Sequence, residues 1–582
     1  MDADMRNSEK NKKEIGTEEL NPYQREAVED MSKATLVNAC VGSGKTTVLT
    51  MKARFLHEAK GIPYESMMIL TFTNRAADEI RERLQLPAAG GENRRFSFGT
   101  FHSVARQLLD ESPLLDKLGW QRGFTMILPE EEEELARQLI REKKLKVKYP
   151  NRLPKRLEQE RAAWQSGGKS RYKDDLFLLF PLLEEAKRRG NRMSFSNLLE
   201  EAMKLLHLQK KEGTLVYPAW LIVDEVQDCN RQQVEMLELL YGPDTCFFAV
   251  GDPNQMIYSF RGGDETLFYY IRNHFQCRER FLPVNYRSAP EILAVANRFR
   301  MFGEQITGEQ AAEADSTGQI PVHHYYDAFL EAKVLTERIR ELHEKGMNYG
   351  QIAILYRMQE QSQLLEAAFE RAGIPYEVRK NSSLPESVEV ADHEAPGETA
   401  CVHLMTLHAS KGLEFDVVFL IGLNQGLLPL SGGDAIRKEE EQRLFFVGLT
   451  RARKKLELSW YTNPTQHQAV GEMSPFLRMI PEKYLLMDQE RNEEEKRENL
   501  QRLRREVEEE KRRSREGKGA EATWEASVEE VQEPEEPAEI RARHAKYGEG
   551  IVASEDADTI EVEFPGYGRK SFLKLFGEVE IL

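Results

Sequence analysis

Short apolar segments alternate with amphipathic stretches along most of the chain. The apolar segments are bounded by glycine or aspartate, which is typical of strands buried in parallel sheets. Because amphipathic stretches such as residues 75–84 lie between them, the pattern predicts helices packed on these strands. An α/β fold with parallel sheets is expected, with ligand sites at the carboxyl ends of the strands. The predicted strands lie at residues 35–40, 67–72, 220–223, 246–250, 352–356 and 417–421.

Three parts of the chain depart from this alternation. Residues 104–198 are charged and helix-forming without strand signals, which predicts a helical insertion. Residues 488–516 are rich in Glu, Lys and Arg and predict an exposed helix, followed by a flexible linker up to residue 537. Residues 540–582 contain short alternating segments separated by Gly, Asp and Pro, which predict a small β-barrel.

Composition restricts the class of protein. With 582 residues, of which 40% are hydrophobic, the chain can form several cores. It contains no apolar stretch approaching the roughly 20 residues of a membrane helix, and its charged N-terminus lacks a signal core. We therefore expect a soluble cytoplasmic protein that does not contact a membrane. The five cysteines show no paired spacing and are interpreted as reduced thiols: Cys40, Cys229, Cys246, Cys277 and Cys401.

The charge is unevenly distributed. The net charge of -17, taken alone, argues against a polyanionic partner. Residues 488–537, however, hold 18 acidic and 11 basic residues, whereas residues 141–157 hold eight basic residues and one acidic residue. At this point the basic run is equally compatible with a solvated helix face and with a nucleic-acid contact.

Residues 39–46 read Ala-Cys-Val-Gly-Ser-Gly-Lys-Thr and lie between a predicted strand and a predicted helix. This order is the one that a Walker A motif requires. Its glycines let backbone N–H groups approach the phosphates, Lys45 supplies positive charge at the β/γ oxygens, and Thr46 can hold Mg²⁺. A plain glycine-rich turn is the alternative. The motif predicts a site for ATP and Mg²⁺.

Two carboxylates follow the predicted strand at residues 220–223. Asp224 is predicted to be the partner of the metal ion, and Glu225 the base that polarises an attacking water. Two solvated carboxylates after a strand are the alternative, which the preceding Walker A motif disfavours.

Further motifs follow in order along the chain, and a specific resemblance rests on them. The motifs are LNPYQREAV, which contains Gln24, TFTNRAADEI from Thr71, GTFHS from Gly99, GDPNQMIYSFRGG from Gly251, NYRS from Asn285, LMTLHASKGLEF from Leu404 and EEQRLFFVGLTRA from Glu440. With these motifs the chain resembles the superfamily 1 helicases of the UvrD/PcrA/Rep family over roughly residues 20–461 and in its C-terminal segment.

The resemblance implies a set of nucleotide contacts. Gln24 would pair with the adenine edge and Tyr286 would stack on it, while Gln255 would sense the γ-phosphate. Arg287 and Arg451 would be arginine fingers from the second motor domain, because a planar, permanently charged guanidinium matches the charge that spreads in the transition state. The remaining implied nucleotide contacts are Gly42, Ser43, Gly44, Lys45, Thr46, Thr47, Arg261 and Glu414.

A nucleic-acid track is implied as well. Phe72, Tyr258 and Phe260 occupy positions of base-stacking aromatics, and the polar neighbours Thr73 and Asn74 favour exposure of Phe72. Core packing is the alternative for these rings. His102 resembles a backbone contact, although an isolated histidine is more often structural. In this context the basic run at residues 141–157 becomes a candidate contact for the duplex ahead of the motor.

The expected domain organisation follows from the resemblance and the patterns. Where family members carry a second helical insertion, this chain has only residues 379–400, so a compact variant is expected in which translocation is better supported than unwinding. The expected parts are a disordered tail at 1–19, a first RecA-like motor domain at 20–103 and 199–275, a helical insertion at 104–198, a second RecA-like motor domain at 276–484, a charged segment at 485–539 and a Tudor-like barrel at 540–582.

The implied function is an ATP-dependent 3′ to 5′ translocase or helicase on single-stranded DNA and its duplex junctions, in repair, replication or transcription-associated processes. A monomer is expected in solution, and residues 540–582 imply a contact with RNA polymerase. The alternative is a nucleotide-controlled clamp or polymerase-binding adaptor. Cys40, Thr47 and the Pro253-Asn254 pair depart from the family pattern and are expected to affect nucleotide affinity and base preference more than hydrolysis.

Overall fold

The computed structural model forms two compact units, Met1–Gln489 and Glu490–Leu582. Each unit is considered by itself. The structure describes residues 19–86, 98–165, 167–257, 265–303, 305–309, 318–379, 401–432, 435–464, 469–488, 541–544, 548–555, 559–565, 568–573 and 579–581.

The first half of the larger unit is built on a six-stranded parallel sheet with the strand order β3-β2-β6-β7-β1-β8. The four strands predicted for this region are confirmed. Its strands are β1 Ala34–Ala39, β2 Met67–Thr71, β3 Phe98–Thr100, β4 Thr125–Met126, β5 Arg192–Met193, β6 Trp220–Val223, β7 Cys246–Gly251 and β8 Arg278–Leu282, of which β4 and β5 form a separate pair.

Helices cover both faces of this sheet. Adjacent side chains on a strand point to opposite sides, so a strand with consecutive apolar residues presents an apolar surface on each face. Phe247 and Phe248 show this, since the first packs with Leu237 and the second with Leu56. The helices are α1 Pro22–Glu29, α2 Lys45–Glu58, α3 Asn74–Arg83, α4 Phe101–Glu111, α5 Pro129–Lys143, α6 Leu153–Gln165, α7 Leu176–Arg189, α8 Phe195–Glu212, α9 Arg231–Leu240 and α10 Glu265–His274.

The helical region predicted at 104–198 contains two kinds of packing. Leu139, Leu157 and Phe180 on α5, α6 and α7 belong to a core of their own. By contrast, Leu109 on α4 and Leu205 on α8 pack in the core of the first sheet. The separate core therefore lies within α5–α7, while the predicted domain boundaries stay predictions.

The second half of the larger unit is built on a seven-stranded parallel sheet with the order β13-β14-β12-β15-β16-β11-β17. The two strands predicted here are confirmed. The elements are β9 Val284–Asn285, α11 Pro290–Ala296, β10 Thr307–Gly308, β11 Ile320–Asp327, α12 Ala328–Glu344, β12 Ile352–Tyr356, α13 Ser362–Ala372, β13 Tyr376–Arg379, β14 Val402–Thr406, β15 Phe415–Leu420, α14 Ala435–Leu449, β16 Ala452–Asn463, α15 Pro475–Arg478 and β17 Leu485–Met487.

The two parallel sheets confirm the expected mixed α/β class and are consistent with two RecA-like domains. The members of these sheets that were missed are β3, β8, β11, β13, β14, β16 and β17. In β11, Pro321, His323 and His324 interrupt the apolar run, although Ile320 and Val322 alternate into the core. Partly polar strands of this kind lack the continuous apolar signature of a buried strand.

The smaller unit contains a five-stranded antiparallel sheet with the order β21-β20-β19-β18-β22. Its predicted strand segments are confirmed, whereas closure into a barrel stays a prediction. Across the ranges that the structure describes, no helix combines the length and the apolar character needed to cross a bilayer. The strands are β18 Arg541–His544, β19 Gly548–Glu555, β20 Thr559–Phe564, β21 Gly568–Leu573 and β22 Val579–Ile581.

Candidate active site

The loop between β1 and α2 has the geometry of a phosphate cradle. Gly42 and Gly44 adopt φ angles of +67° and +79°, which favour glycine. A Cβ atom on Gly42 would lie 2.6 Å from Asn285 Nδ2, so a side chain has no space there. Helix α2 begins directly after Gly44, which has no side chain to cap it. Its first N–H groups are thus available to an anion.

Three charged side chains meet beside this loop. Lys45 Nζ lies 2.6 Å from Glu225 Oε2. Asp224 directly follows β6, is buried, and accepts a hydrogen bond of 3.0 Å from the Glu225 N–H at Oδ1. Glu225 has a φ of +45°, a left-handed conformation that costs energy for a residue other than glycine and that clusters at functional sites.

Burial and neighbouring charges shift the pKa values of both carboxylates. Burial, together with the charge of Glu225, raises the pKa of Asp224 to about 7. For Glu225, burial alone would raise the pKa, but Lys45 and Lys411 outweigh it and lower the pKa to about 2. A divalent cation at Asp224 would favour the charged carboxylate. The hydroxyl of Thr46 and the carboxylate of Asp224 are oxygen donors of the type that Mg²⁺ prefers, so the donor set fits this ion.

A cavity of about 480 Å³ opens between the two parallel sheets in front of this cluster. All six residues predicted to be catalytic line it, and they come from both halves of the larger unit. Its lining includes Lys45, Thr46, Thr47, Phe72, Thr73, Asp224, Glu225, Asp228 and Gln255 from the first half, and Arg287, Lys411, Glu414, Arg451 and Arg453 from the second.

The two predicted adenine contacts lie behind the loop and do not line the cavity. Gln24 Nε2 donates to the carbonyl of Ser43 at 2.9 Å, and its Oε1 accepts from the N–H of Asn21 at 3.1 Å. Tyr286 accepts a hydrogen bond of 2.6 Å from Asn21 Nδ2 at its hydroxyl oxygen. A nucleotide base contacting the Gln24 amide would therefore replace or share these bonds.

Cys40 and Thr47, which depart from the family pattern, lie next to neighbours that the structure identifies. Cys40 is buried, and burial raises the pKa of its thiol to about 12, so it is a neutral packing residue. Ser43 Oγ donates to the Cys40 carbonyl at 2.7 Å. Thr47 Oγ1 accepts a hydrogen bond of 3.3 Å from Arg83, an arginine from α3 that also lines the cavity.

The predicted arginine fingers contact groups of their own half. Arg287 forms an ion pair with Glu414. Arg451 is buried and donates to the carbonyls of Val447 at 2.9 Å and Leu413 at 3.0 Å. Burial, followed by the charge of Arg287, lowers the pKa of Arg451 to about 9.

The ion pair between Lys411 and Asp228 was not predicted from the sequence. Lys411 Nζ donates to both carboxylate oxygens of Asp228 at 2.6 Å and to the carbonyl of Gln255 at 2.7 Å. Lys411 belongs to the second half and Asp228 to the first, so this ion pair connects the two sides of the cavity. Both residues lie in motifs that the sequence shows, but nothing in their spacing indicates that they meet.

Asn254 makes a second connection between the halves. Its Oδ1 accepts from the N–H groups of Met301 and Phe302, both at 2.9 Å. Its Nδ2 donates to the carbonyl of Phe302 at 3.0 Å and to Asp252 at 3.1 Å. Gln255 Nε2 also donates to Asp252, at 2.8 Å. One buried carboxamide thus holds the segment after α11 against the end of β7.

The predicted nucleic-acid track is described only in part. Phe72 is half-buried and packs edge-to-face on Phe101 with ring centroids 5.8 Å apart. Thr73 caps α3, accepting from the Ala76 N–H at 3.1 Å, and Asn74 is the first residue of that helix. Tyr258, Phe260 and Arg261 lie outside the described residues.

His102 is partly enclosed by packing. Its ring lies edge-to-face with Phe195, with centroids 6.5 Å apart. Burial lowers its pKa to about 4, so it is neutral at neutral pH. Its place in a nucleic-acid track stays a prediction.

Comparisons with known proteins agree with this arrangement. The model of the UvrD/REP helicase N-terminal domain matches residues 20–276, and that of the UvrD-like helicase C-terminal domain matches residues 281–393 and 380–463. A probable DNA helicase of Mycoplasma pneumoniae is 28% identical over 510 residues, which cover 80% of this chain and 88% of that protein.

Two further relatives show the same likeness. DNA helicase II of Haemophilus influenzae is 24% identical over 620 residues, covering 76% of this chain and 84% of that protein. ATP-dependent DNA helicase PcrA of Staphylococcus epidermidis is 27% identical over 390 residues, covering 64% of this chain and 52% of that protein. The chain thus spans about half the length of PcrA. Because the two family models together match most of its length, this chain belongs to the UvrD/REP helicase family.

Proposed function

We propose that this protein is an ATP-hydrolysing motor that moves along single-stranded DNA. The observation that carries the proposal is the cavity between the two sheets, where Lys45, Asp224 and Glu225 face Arg287 and Arg451. An arrangement of this kind makes hydrolysis depend on how the two halves approach each other. The names of the relatives, which include DNA helicases, support DNA as the substrate.

Residues of the first half hold the nucleotide in this proposal. The N–H groups after Gly42 and Gly44, together with Lys45, bind the phosphates. Thr46 and Asp224 hold Mg²⁺, which neutralises phosphate charge when it is bound. Glu225 orients and deprotonates the attacking water.

The second half completes the site. The guanidinium groups of Arg287 and Arg451 contact the γ-phosphate when nucleotide is bound. To do so, Arg287 gives up its ion pair with Glu414, and Arg451 gives up its hydrogen bonds to backbone carbonyls. Gln255, whose carbonyl accepts from Lys411, reports the state of the γ-phosphate to that lysine. Binding and release of nucleotide would thereby alternate the contacts across the cavity, which is the motion that a translocating motor requires.

The finer points follow from the resemblance. The motor moves 3′ to 5′, with Phe72 and Phe260 as stacking platforms for unpaired bases. Only residues 379–400 occupy the place of a second insertion, so the isolated protein translocates well and unwinds long duplexes poorly without a partner. Repair, replication and transcription-associated processes are the settings that we propose for it, as a monomer.

One experiment tests the proposal. ATP hydrolysis and translocation are measured on single-stranded DNA and RNA, with blocks at either end that report polarity. We expect strong stimulation by DNA and movement toward the 5′ end of the strand. Slow hydrolysis without movement would instead support the clamp or adaptor, which at present has no observation in its favour.

The smaller unit is proposed to contact RNA polymerase and not to take part in hydrolysis. Deleting residues 540–582 is expected to leave DNA-stimulated ATPase nearly unchanged and to abolish co-purification with the polymerase. Undiminished binding by the truncated protein would remove this role. The cytoplasmic location expected from the sequence stays a prediction.

A further inference from the structure

Within the helical region α5–α7, residues 141–176 have an unusual sorting of charge. Residues 141–176 contain twelve basic and five acidic residues, and ten of the basic but only two of the acidic side chains are exposed. The surface is therefore more positive than the sequence of this region suggests. The exposed basic residues are Arg141, Lys143, Lys144, Lys146, Lys148, Arg152, Lys155, Lys169, Arg171 and Lys173.

The acidic residues are turned inward by specific partners. Asp174 accepts from Arg156 Nη1 at 2.7 Å and from the N–H of Lys148 at 2.8 Å. Asp175 accepts from the N–H of Lys146 at 2.8 Å. Burial alone would raise the pKa of Asp174, but the bonds from Arg156 and the Lys148 N–H lower it to about 2, so it stays charged.

These contacts have a consequence for the surface. Asp174 and Asp175 thus use the backbone of Lys148 and Lys146, and the side chains of both lysines are exposed. Lys148 Nζ donates to the Tyr172 carbonyl at 3.1 Å. Arg156, a member of the basic run predicted as a contact, is buried between Asp174 and Glu160 instead, with 2.9 Å from its Nε to the Glu160 carboxylate. The run is thus divided into one structural arginine and a set of exposed cations.

An aromatic side chain lies among these cations. The Tyr149 side chain is 56% exposed, and the residue has a φ of +52°, so it adopts the left-handed conformation that a tyrosine rarely takes. Its ring packs edge-to-face on Tyr172 with centroids 5.3 Å apart. The guanidinium carbon of Arg156 lies 4.5 Å from the Tyr172 centroid and fixes that ring in turn. Tyr149 is therefore a supported yet exposed aromatic surface.

We propose that this surface is a second nucleic-acid site, which binds an unpaired segment through stacking on Tyr149 and through phosphate contacts with Lys146, Arg152 and Lys155. Unpaired bases offer open π faces to an aromatic ring, whereas the faces of bases in a duplex interior are already stacked. The cations supply the charge that phosphates require. This strand contact is an addition to the duplex contact expected from the basic run, which stays a prediction. The proposal rests on the proposed function only in taking DNA as the ligand.

The first test removes charge from the surface. Equilibrium binding of fluorescent oligo-dT to the full, nucleotide-free chain is measured for K146A/R152A/K155A as a function of salt. We expect about tenfold weaker binding, and a plot of log affinity against log salt whose slope falls by about 2, because each lost phosphate contact contributes about 0.7 for a single strand. The matched control, K210A/K211A/K345A, removes three exposed cations elsewhere. An equal loss in this control, or an unchanged slope in the first variant, would overturn the proposal.

The second test concerns the ring. Tyr149→Ala is expected to weaken binding of the single strand about tenfold, while Tyr149→Phe keeps wild-type affinity because stacking needs only the ring. Neither change should alter binding of a blunt duplex. If Tyr149→Ala binds the single strand normally, or loses affinity only for the duplex, the site is not the one proposed.

Steady-state ATPase separates this proposal from the proposed function. The rate at saturating DNA should be unchanged in Tyr149→Ala, while the DNA concentration for half-stimulation rises about tenfold. If wild-type ATPase does not respond to DNA at all, the proposed motor function fails. If it responds and the variant responds identically, the second site alone is refuted.

Discussion

The two sides of the cavity hold their charged side chains in different ways. On the first side, Lys45 and Glu225 form an ion pair with each other, and Asp224 is fixed at the end of a strand. On the second side, Arg287 contacts Glu414 and Arg451 contacts backbone carbonyls, all within its own half. The cations of both sides are thus engaged within their own halves, Lys45 with the carboxylate predicted to be the base, Arg287 with Glu414, and Arg451 with backbone carbonyls. We propose that the approach of the second side controls hydrolysis, because its arginines must leave these partners to reach a phosphate held by the first side.

The largest effect on ATP hydrolysis should come from removing an arginine on the second side of the cavity. Arg287→Ala is expected to lower the rate of DNA-stimulated ATP hydrolysis by about 10³-fold or more, since a transition-state arginine contributes about 10³ to 10⁵. Nucleotide binding, measured with a fluorescent ATP analogue, should change little. Arg83→Ala is the control, because Arg83 lines the same cavity from the first side. If Arg287→Ala hydrolyses ATP as fast as Arg83→Ala, at close to the wild-type rate, then Arg287 does not act on the phosphate.

On the first side, substitutions should separate the role of Glu225 in hydrolysis from the role of Lys45 in ATP binding. Glu225→Gln is expected to lower the hydrolysis rate by about 10² to 10⁴ while ATP binding persists, because only proton transfer is lost. Lys45→Ala should lose both. Glu79→Gln, an equal change on the wall of the same cavity, serves as the control. Hydrolysis by Glu225→Gln at close to the wild-type rate would refute its assignment as base.

The ion pair across the cavity should have an intermediate effect. Lys411→Met and Asp228→Asn are each expected to lower ATPase about tenfold because both break the same ion pair, and Lys411→Met also loses the bond to the Gln255 carbonyl. The double variant should therefore be no less active than Lys411→Met alone. Lys454→Met breaks an ion pair with Asp416 within the second half and should change the rate little. Multiplying effects in the double variant would show that the two residues act independently.

The smallest effect on hydrolysis is expected at the predicted track. Phe72→Leu keeps an apolar contact for Phe101 but loses the ring, so affinity for single-stranded DNA should fall about tenfold with hydrolysis at saturating DNA preserved. Phe72→Tyr is the matched control. Phe260→Ala is likewise expected to hydrolyse ATP without efficient movement. Normal affinity and translocation speed in Phe72→Leu would assign that ring to core packing.

Local chemistry was predictable where it depends on neighbours in the chain. The glycine-rich loop, Lys45 and the carboxylates after β6 are each a strand end followed by a short motif, and the structure places them together. Motifs that follow different strands come together in the fold because parallel strands have their carboxyl ends at one edge of the sheet. The base and metal roles of these residues stay predictions.

Other features depend on contacts between distant segments. Lys411 meets Asp228, a residue far from it in the sequence, and no local pattern encodes that pairing. The inward position of Arg156 depends on Asp174, and so a run of basic residues could not be separated into structural and exposed members. Strand β11 was missed because its polar residues conceal its alternation.

The carboxamide of Asn254 has a mechanical consequence. Both its donor and acceptor atoms are engaged, with Asp252 on one side and the backbone of Met301 and Phe302 on the other. An aspartate in this place would lose the donor and leave the Phe302 carbonyl without it. The same segment receives a bond from the other half at Met256, whose carbonyl accepts from Arg443 Nε at 2.8 Å. Asn254 and Arg443 therefore hold the end of β7 to the second half through contacts that do not depend on the Lys411 ion pair.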